Sequence, residues 1–121
     1  MTRKLTAETY AQTASEREIQ TAGVEYLQYA GWVVVETSQP AAVKGGLIGA
    51  PDVLAFKSGV TLLIEFKTAT GKLRQSQIEF RERITPHLTQ SLWYVVAHNL
   101  DDVIKLVATA QYWSTGRVTH G

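Results

Sequence analysis

The stretch from residue 49 to residue 77 constrains the fold of this 121-residue chain more than any other part of it. It contains two runs of β-favouring residues, 53–57 and 60–67, which are separated by Ser58-Gly59. A two-residue turn with glycine between two such runs predicts a β-hairpin. A loop and then a helix are predicted to follow the second strand.

The register of this hairpin places two acidic side chains next to each other. If the turn pairs Lys57 with Val60, the ladder brings Asp52 opposite Glu65. Directly opposed side chains have Cβ atoms roughly 4.5–5.5 Å apart, and like charges there repel each other. A divalent cation between the two carboxylates would account for the pair. The prediction depends on the register, because a slip of one residue turns Asp52 to the other face.

A third charged residue belongs to the same end of the hairpin. Strand side chains alternate in direction, so Lys67 shares a face with Glu65 while Phe66 points the other way. Carboxylates suit Mg²⁺ or Mn²⁺, which can polarise a phosphate and lower the pKa of a bound water. Lys67 could orient or deprotonate such a water. The simpler alternative is an aspartate that closes a turn beside a surface Glu–Lys pair.

These residues resemble the motif of a known nuclease superfamily. Pro51-Asp52 followed by Glu65-Phe66-Lys67 matches the PD-(D/E)XK pattern. The longer string is similar to the virus-type replication-repair nuclease branch, the VRR-NUC domain. Its further matching residues are Gly49, Ile64, Thr68, Gly71, Lys72, Leu73 and Gln77. The resemblance covers about residues 15 to 107.

The resemblance implies a restriction-endonuclease-like α/β fold, with a mixed central sheet flanked by helices. It implies that Mg²⁺ or Mn²⁺ is held by Asp52, Glu65, the backbone carbonyl of Phe66 and an acidic residue of the first helix. That residue aligns with Glu16. Glu18 is an alternative with a competing role in helix capping, and Glu25 is a further one.

The resemblance also implies contacts with DNA. Gln77 matches the family glutamine on the helix after the lysine strand, where it could contact a ligand water or the DNA backbone. Lys72, Arg74 and Arg81 are expected to hold phosphates. Basic residues crowd this segment although the net charge is only +1. A solvated helix face is the alternative explanation of that crowding.

The function that the resemblance implies is metal-dependent cleavage of DNA. Stand-alone VRR-NUC domains of this size resemble Holliday junction resolvases that act as homodimers, so a homodimer is expected, with residues 1–14 or the last helix as its interface. A flap, nicking or single-strand nuclease is one alternative. A non-catalytic DNA-binding module on the same fold is another. A bacterial or phage-infected cell would be the setting.

Composition limits the remaining possibilities. With 45% hydrophobic residues the chain can build one core, and without cysteine it has no disulfide or thiolate metal site. No apolar run reaches the roughly 18 residues of a membrane span and no signal peptide opens the chain, which favours the cytoplasm and no membrane partner. The loop at residues 37–49 lacks the Gly-Lys-Ser/Thr ending of a phosphate loop, so no nucleotide cofactor is expected.

The predicted element order is αβββαβα within a single domain at residues 15–113. Residues 1–14 are predicted to be a mobile arm or a partner-dependent extension, and residues 114–121 a loose tail. A capping box that begins at Ser15 should start a helix that stops at Gly31. Residues 32–36 form a buried strand, and both hairpin strands are expected to be covered by helices on both faces.

The second half of the chain should contain a helix, a strand and a last helix. The helix starts near residues 74–76 and Pro86 ends or kinks it. A strand follows at 92–97, and Asn99 or Asp101 caps a helix that runs to about Ala110, after which Tyr112 and Trp113 pack back.

Histidines and aromatic residues outside the motif give weaker indications. The histidines have no metal-ligand spacing and are interpreted as structural or solvated: His87, His98 and His120. Trp32 and Trp93 lie inside strand patterns, which favours core packing over base stacking. Tyr10 is the aromatic residue most free to contact a partner.

Overall fold

The computed structural model describes residues 14–37 and 48–119. Its elements, in chain order, are α1 (Glu16–Tyr29), β1 (Val33–Glu36), β2 (Val53–Lys57), β3 (Val60–Phe66), α2 (Gln75–Ile84), a short 3₁₀ helix (Thr85–His87), β4 (Leu92–Ala97) and α3 (Leu100–Thr119). The predicted order αβββαβα is therefore confirmed. Residues 1–13, which include Tyr10, the loop glycines Gly45 and Gly46, and His120 lie outside the described residues.

The first helix starts at the predicted capping box. The Ser15 hydroxyl accepts a hydrogen bond from the Glu18 N–H at 3.1 Å, and the Glu18 carboxylate accepts one from the Ser15 N–H at 3.3 Å. The two bonds satisfy donors that a helix N-terminus leaves unpaired. The residues that α1 buries recur at helical spacing and are Ile19, Gly23, Val24 and Leu27.

The four strands form one mixed sheet in the order β1-β2-β3-β4. The first two strand pairs are antiparallel, and β3 and β4 are parallel. Lys57 pairs with Val60 and Val53 with Ile64, so the register predicted for the hairpin is confirmed. Both turn residues, Ser58 and Gly59, have positive φ, as a type I′ turn requires.

Helices cover the two faces of the sheet to different extents. On one face, α1 and α3 pack over the core side of β3, where a Cβ added at Gly23 would lie 2.8 Å from the Phe66 ring and 3.3 Å from Val103. On the other face, α2 contacts the sheet at β3 and β4, and the Phe80 and Tyr94 ring centroids are 6.4 Å apart. The acidic hairpin end therefore lies on the face that α2 covers.

The predicted burial of the first strand is wrong. Val33 is 66% exposed and Val35 46%, although both lie in a strand. On β2, Phe56 pairs with Val33 of β1 and is 40% exposed. The hairpin strand β2 is therefore not covered on both faces either. The physical reason is position in the sheet, because β1 is an edge strand and α2 lies over β3 and β4 at the other side.

The last helix is longer than predicted. Its cap is Asn99, whose side chain accepts a hydrogen bond from the Asp102 N–H at 2.8 Å. It continues past Ala110 to Thr119 and so includes most of the segment predicted to be loose. Tyr112 is 75% exposed and Trp113 44%, so these two rings do not pack back as predicted.

Ala14 was predicted to belong to the N-terminal arm. It is 7% exposed and belongs to the hydrophobic core. Within residues 14–37 and 48–119, the helices lack the combination of length and apolarity that a membrane crossing needs.

Candidate active site

Three carboxylates meet at the end of the hairpin. One ligand oxygen each from Glu16, Asp52 and Glu65 lies within 4.8 Å of the others. Glu16 comes from the first turn of α1, Asp52 from the residue before β2 and Glu65 from β3. Glu65 is fully buried and the other two are half-buried.

Hydrogen bonds from backbone N–H groups hold both the side chain and the carbonyl of Asp52. Its Oδ2 accepts a hydrogen bond from the Phe66 N–H at 2.9 Å, which ties the carboxylate to the end of β3. Its own carbonyl accepts from the Thr37 N–H at 2.8 Å, and the Thr37 hydroxyl donates to the Pro51 carbonyl. The end of β1 therefore clamps the segment that carries the aspartate, a role for Thr37 that the sequence did not indicate.

Gln77 is a direct partner of Glu65. Its Nε2 donates to Glu65 Oε1 at 2.7 Å, and its Oε1 accepts from the Arg74 N–H at 2.8 Å. The second bond fixes the orientation of the amide, because only the oxygen can face an N–H donor. Gln77 is 8% exposed, so the start of α2 holds one oxygen of Glu65 from a buried position.

The other oxygen of Glu65 has no partner among the described residues. Oε2 is buried and makes no hydrogen bond. The pKa of Glu65 is raised to about 9, mostly by burial and also by the neighbouring Asp52 carboxyl, while the Lys67 charge acts the other way. A buried, unpaired oxygen beside two further carboxylates is the donor set that Mg²⁺ or Mn²⁺ takes. The residues present therefore fit such a cation.

Lys67 directly follows β3 and continues its ladder, since its N–H donates to the Ala97 carbonyl at 3.0 Å. Lys67 is 4% exposed and therefore buried. Within the described part of the chain, no ion pair of 4.0 Å or less joins it to Asp52 or Glu65. A surface Glu–Lys pair, the simpler explanation of these residues, is therefore wrong, because both Glu65 and Lys67 are buried.

The other acidic candidates of α1 lie apart from this cluster. Glu18 is engaged in the capping box, and Glu25 is exposed. Of the described histidines, His98 donates through Nδ1 to the Thr68 carbonyl at 2.8 Å and His87 is exposed, so neither belongs to the cluster.

The predicted DNA contacts are exposed, on the loop before α2 and on α2 itself: Lys72, Arg74 and Arg81.

Gly49 explains why the motif begins with glycine. Its φ is +83°, and a Cβ there would lie 2.1 Å from the Ser76 carbonyl oxygen. The segment that leads into Asp52 therefore runs directly against the backbone at the start of α2. No larger residue fits between them.

Tyr94 is the neighbour of the site that the sequence did not reveal. It shares the sheet face of Glu65, and its hydroxyl is buried without a partner among the described residues. Its position follows only from the parallel pairing of β3 and β4, which no local pattern specifies.

Comparison with solved structures finds a similar fold. A solved chain described as "VRR_NUC domain" is similar to this one, with a TM-score of 0.62 and 26% sequence identity, over 78% of this chain and 97% of that chain. Neither a protein-family model nor a curated protein matches the chain. The shared fold and the motif residues together confirm the resemblance to the VRR-NUC domain that the sequence predicted.

Proposed function

We propose that this chain is a metal-dependent DNA endonuclease that resolves Holliday junctions as a homodimer. The observation that carries the proposal is the cluster of Glu16, Asp52 and Glu65 beside the buried Lys67. The similar solved chain is named as a nuclease domain, which supports the same reaction class. Metal-dependent phosphodiester hydrolysis needs a cation site and a group that orients or deprotonates the attacking water, and this cluster has residues suited to both.

Each residue of the site has a role in the proposed reaction. Mg²⁺ or Mn²⁺ would be held by Glu16, Asp52, Glu65 and the Phe66 carbonyl, and would supply charge neutralisation at the phosphate and a more acidic water. Lys67 orients the attacking water and stabilises negative charge that develops on the phosphate.

Two hydrogen bonds keep the carboxylates in place while this happens. Gln77 fixes the rotamer of Glu65, and the Phe66 N–H fixes that of Asp52. Both polar atoms of the Gln77 side chain form hydrogen bonds within the protein. We therefore assign Gln77 to positioning Glu65 and not to contacting the DNA backbone.

The exposed basic residues near α2 are proposed to hold the DNA. If Lys72 and Arg74 each contact one phosphate, replacing both by alanine should lower the salt slope of binding by nearly 2, since each contact contributes about 0.9. Fluorescence anisotropy with labelled DNA at several salt concentrations measures this slope. Lys105→Ala is the matched control, because this exposed lysine pairs with Asp101 on α3. An unchanged slope in the double variant would move the DNA face elsewhere.

Junction resolution by a homodimer is proposed from the resemblance to the VRR-NUC domain and from symmetry. A four-way junction needs two opposed cuts, and a two-fold homodimer presents two sites.

The experiment that tests the proposal is cleavage of a synthetic four-way junction. Linear duplex, flap and single-stranded DNA are the comparison substrates, in Mg²⁺, Mn²⁺ or chelator. Paired symmetric cuts confined to the junction, abolished by chelator and by Asp52→Asn, are the expected result. Cutting of flaps or single strands would keep the chemistry and reject resolution. Binding without cutting on any substrate would indicate a non-catalytic module.

A further inference from the structure

Two buried polar atoms on one face of the sheet are both without a hydrogen-bond partner in the described part of the chain. They are Oε2 of Glu65 and the hydroxyl of Tyr94. Tyr94 pairs with Leu63, and Glu65 pairs with Val96, so Tyr94 and Glu65 are diagonal neighbours on the parallel strands β3 and β4. The two side chains therefore lie on the same face of the sheet, two positions apart on neighbouring strands.

The position and protonation of Tyr94 suit a hydrogen-bond donor. The Phe80 ring packs against it at a centroid distance of 6.4 Å, which holds the ring in place. Burial raises the pKa of the Tyr94 hydroxyl and the negative charge of Glu65 raises it further, against an opposing effect of Arg81. A tyrosine hydroxyl carries its proton at neutral pH, so Tyr94 can donate a hydrogen bond.

We propose that Tyr94 is a positioning residue of the acidic site, and that one buried water joins its hydroxyl to Oε2 of Glu65 by hydrogen bonds. Buried polar atoms nearly always have a partner, and a water that occupies a polar site typically makes two to four hydrogen bonds. A carboxylate oxygen has two lone pairs, so Oε2 can hold this water and still face a cation. The inference rests on the proposed function, because it concerns the same site.

The bridge completes the support of Glu65. Gln77 already fixes Oε1, and the Tyr94 water fixes Oε2, so the carboxylate is held at both oxygens. Groups that orient a metal ligand in this way typically change metal affinity about 10- to 100-fold when they are removed. Tyr94→Phe keeps the ring and its packing, so the fold is expected to be retained.

The first test is a Mn²⁺ titration followed by melting temperature. The Mn²⁺ concentration that gives half of the maximal shift should rise about tenfold or more in Tyr94→Phe. Tyr29→Phe is the matched control, because Tyr29 is 89% exposed on α1, and its titration should match wild type. If Tyr94→Phe changes the melting temperature in chelator but leaves the Mn²⁺ titration unchanged, the residue is structural and the proposal is overturned.

The second test does not depend on a metal. Melting temperatures of wild type, Tyr94→Phe, Glu65→Gln and the double variant are measured in chelator. A bridge between the two residues makes the single changes non-additive, whereas additive changes would overturn the proposal. If the wild-type protein neither binds Mn²⁺ nor cuts DNA, the proposed function fails, and this cycle still decides whether Tyr94 and Glu65 are linked.

Discussion

Glu65 is a buried residue whose deprotonation opposes the stability of the fold. In the unfolded chain its carboxyl loses its proton above a pKa near 4.5, whereas in the folded protein burial keeps the proton up to about pH 9. Between these values the folded state binds more protons than the unfolded state. The contribution of Glu65 to the stability of the metal-free protein therefore falls as pH rises through this range.

Replacing Glu65 by glutamine should remove this cost. Metal-free Glu65→Gln should be more stable than wild type at pH 8, on the order of 2 kcal/mol, and the difference should shrink towards pH 5. Thermal unfolding in chelator at the two pH values measures the effect. The same variant should not cut DNA. Glu25→Gln changes an exposed glutamate of α1 and should follow wild type. Equal pH dependence of Glu65→Gln and wild type would contradict the assignment.

Substitutions of Glu16 and Glu18 should distinguish a role in the proposed site from a role in folding. Glu16→Gln should lose metal-stimulated cleavage with little change in stability, because its carboxylate belongs to the acidic cluster. Glu18→Ala should retain cleavage but lose about 1 kcal/mol of stability, because it removes one bond of the capping box. Cleavage rates and urea unfolding of the two variants provide the comparison. The reverse pattern would make Glu18 the ligand.

At the scale of elements, Gly49 joins the start of α2 to the segment before β2. Gly49→Ala should cost roughly 2 kcal/mol or more, because φ is +83° and the new Cβ would collide with the Ser76 carbonyl. Gly59→Ala is the matched control, since Gly59 has a φ of +79° in an exposed turn. Urea unfolding of both variants separates collision from backbone strain. Equal costs would show that the contact with α2 is unimportant.

The elements that the sequence predicted best are those with a local cause. The hairpin register followed from the two-residue turn, and the start of α1 from its capping box. Burial of β1 was predicted wrongly because Val33 and Val35 are apolar in any strand, and only the sheet order makes β1 an edge. The length of α3 was underestimated because its sequence has no clear stop near Ala110.

The part of the candidate site that a local element forms was predictable, and the part that long-range packing forms was not. Asp52 and Glu65 are brought together by the hairpin itself, whose register can be read from the sequence. The hydrogen bond from Gln77 to Glu65 depends on how the loop before α2 folds back. Tyr94 depends on the pairing of β4 with β3, which are separated by a whole helix. Such long-range contacts produce no periodic pattern in the sequence from which they could be predicted.

At the scale of the whole molecule, cation binding at the proposed site would be coupled to folding. Mn²⁺ should raise the melting temperature, because the three carboxylates converge only in the native state. At 100 times the dissociation constant the gain is about 2.7 kcal/mol. The shift should be larger at pH 8 than at pH 6, because a cation must displace the Glu65 proton. Differential scanning fluorimetry measures both, and Asp52→Asn should abolish the shift. A shift that persists in Asp52→Asn would place the cation elsewhere.

The hairpin turn gives this protein a convenient position for a probe. Ser58 is exposed at the end of β2 and β3 opposite to Asp52, about six strand residues or roughly 20 Å away. The chain contains no cysteine, so Ser58→Cys would be its single thiol. A spin label or fluorophore attached there would leave the carboxylates untouched. In a two-fold assembly, two such labels would report the distance between protomers while the site stays intact.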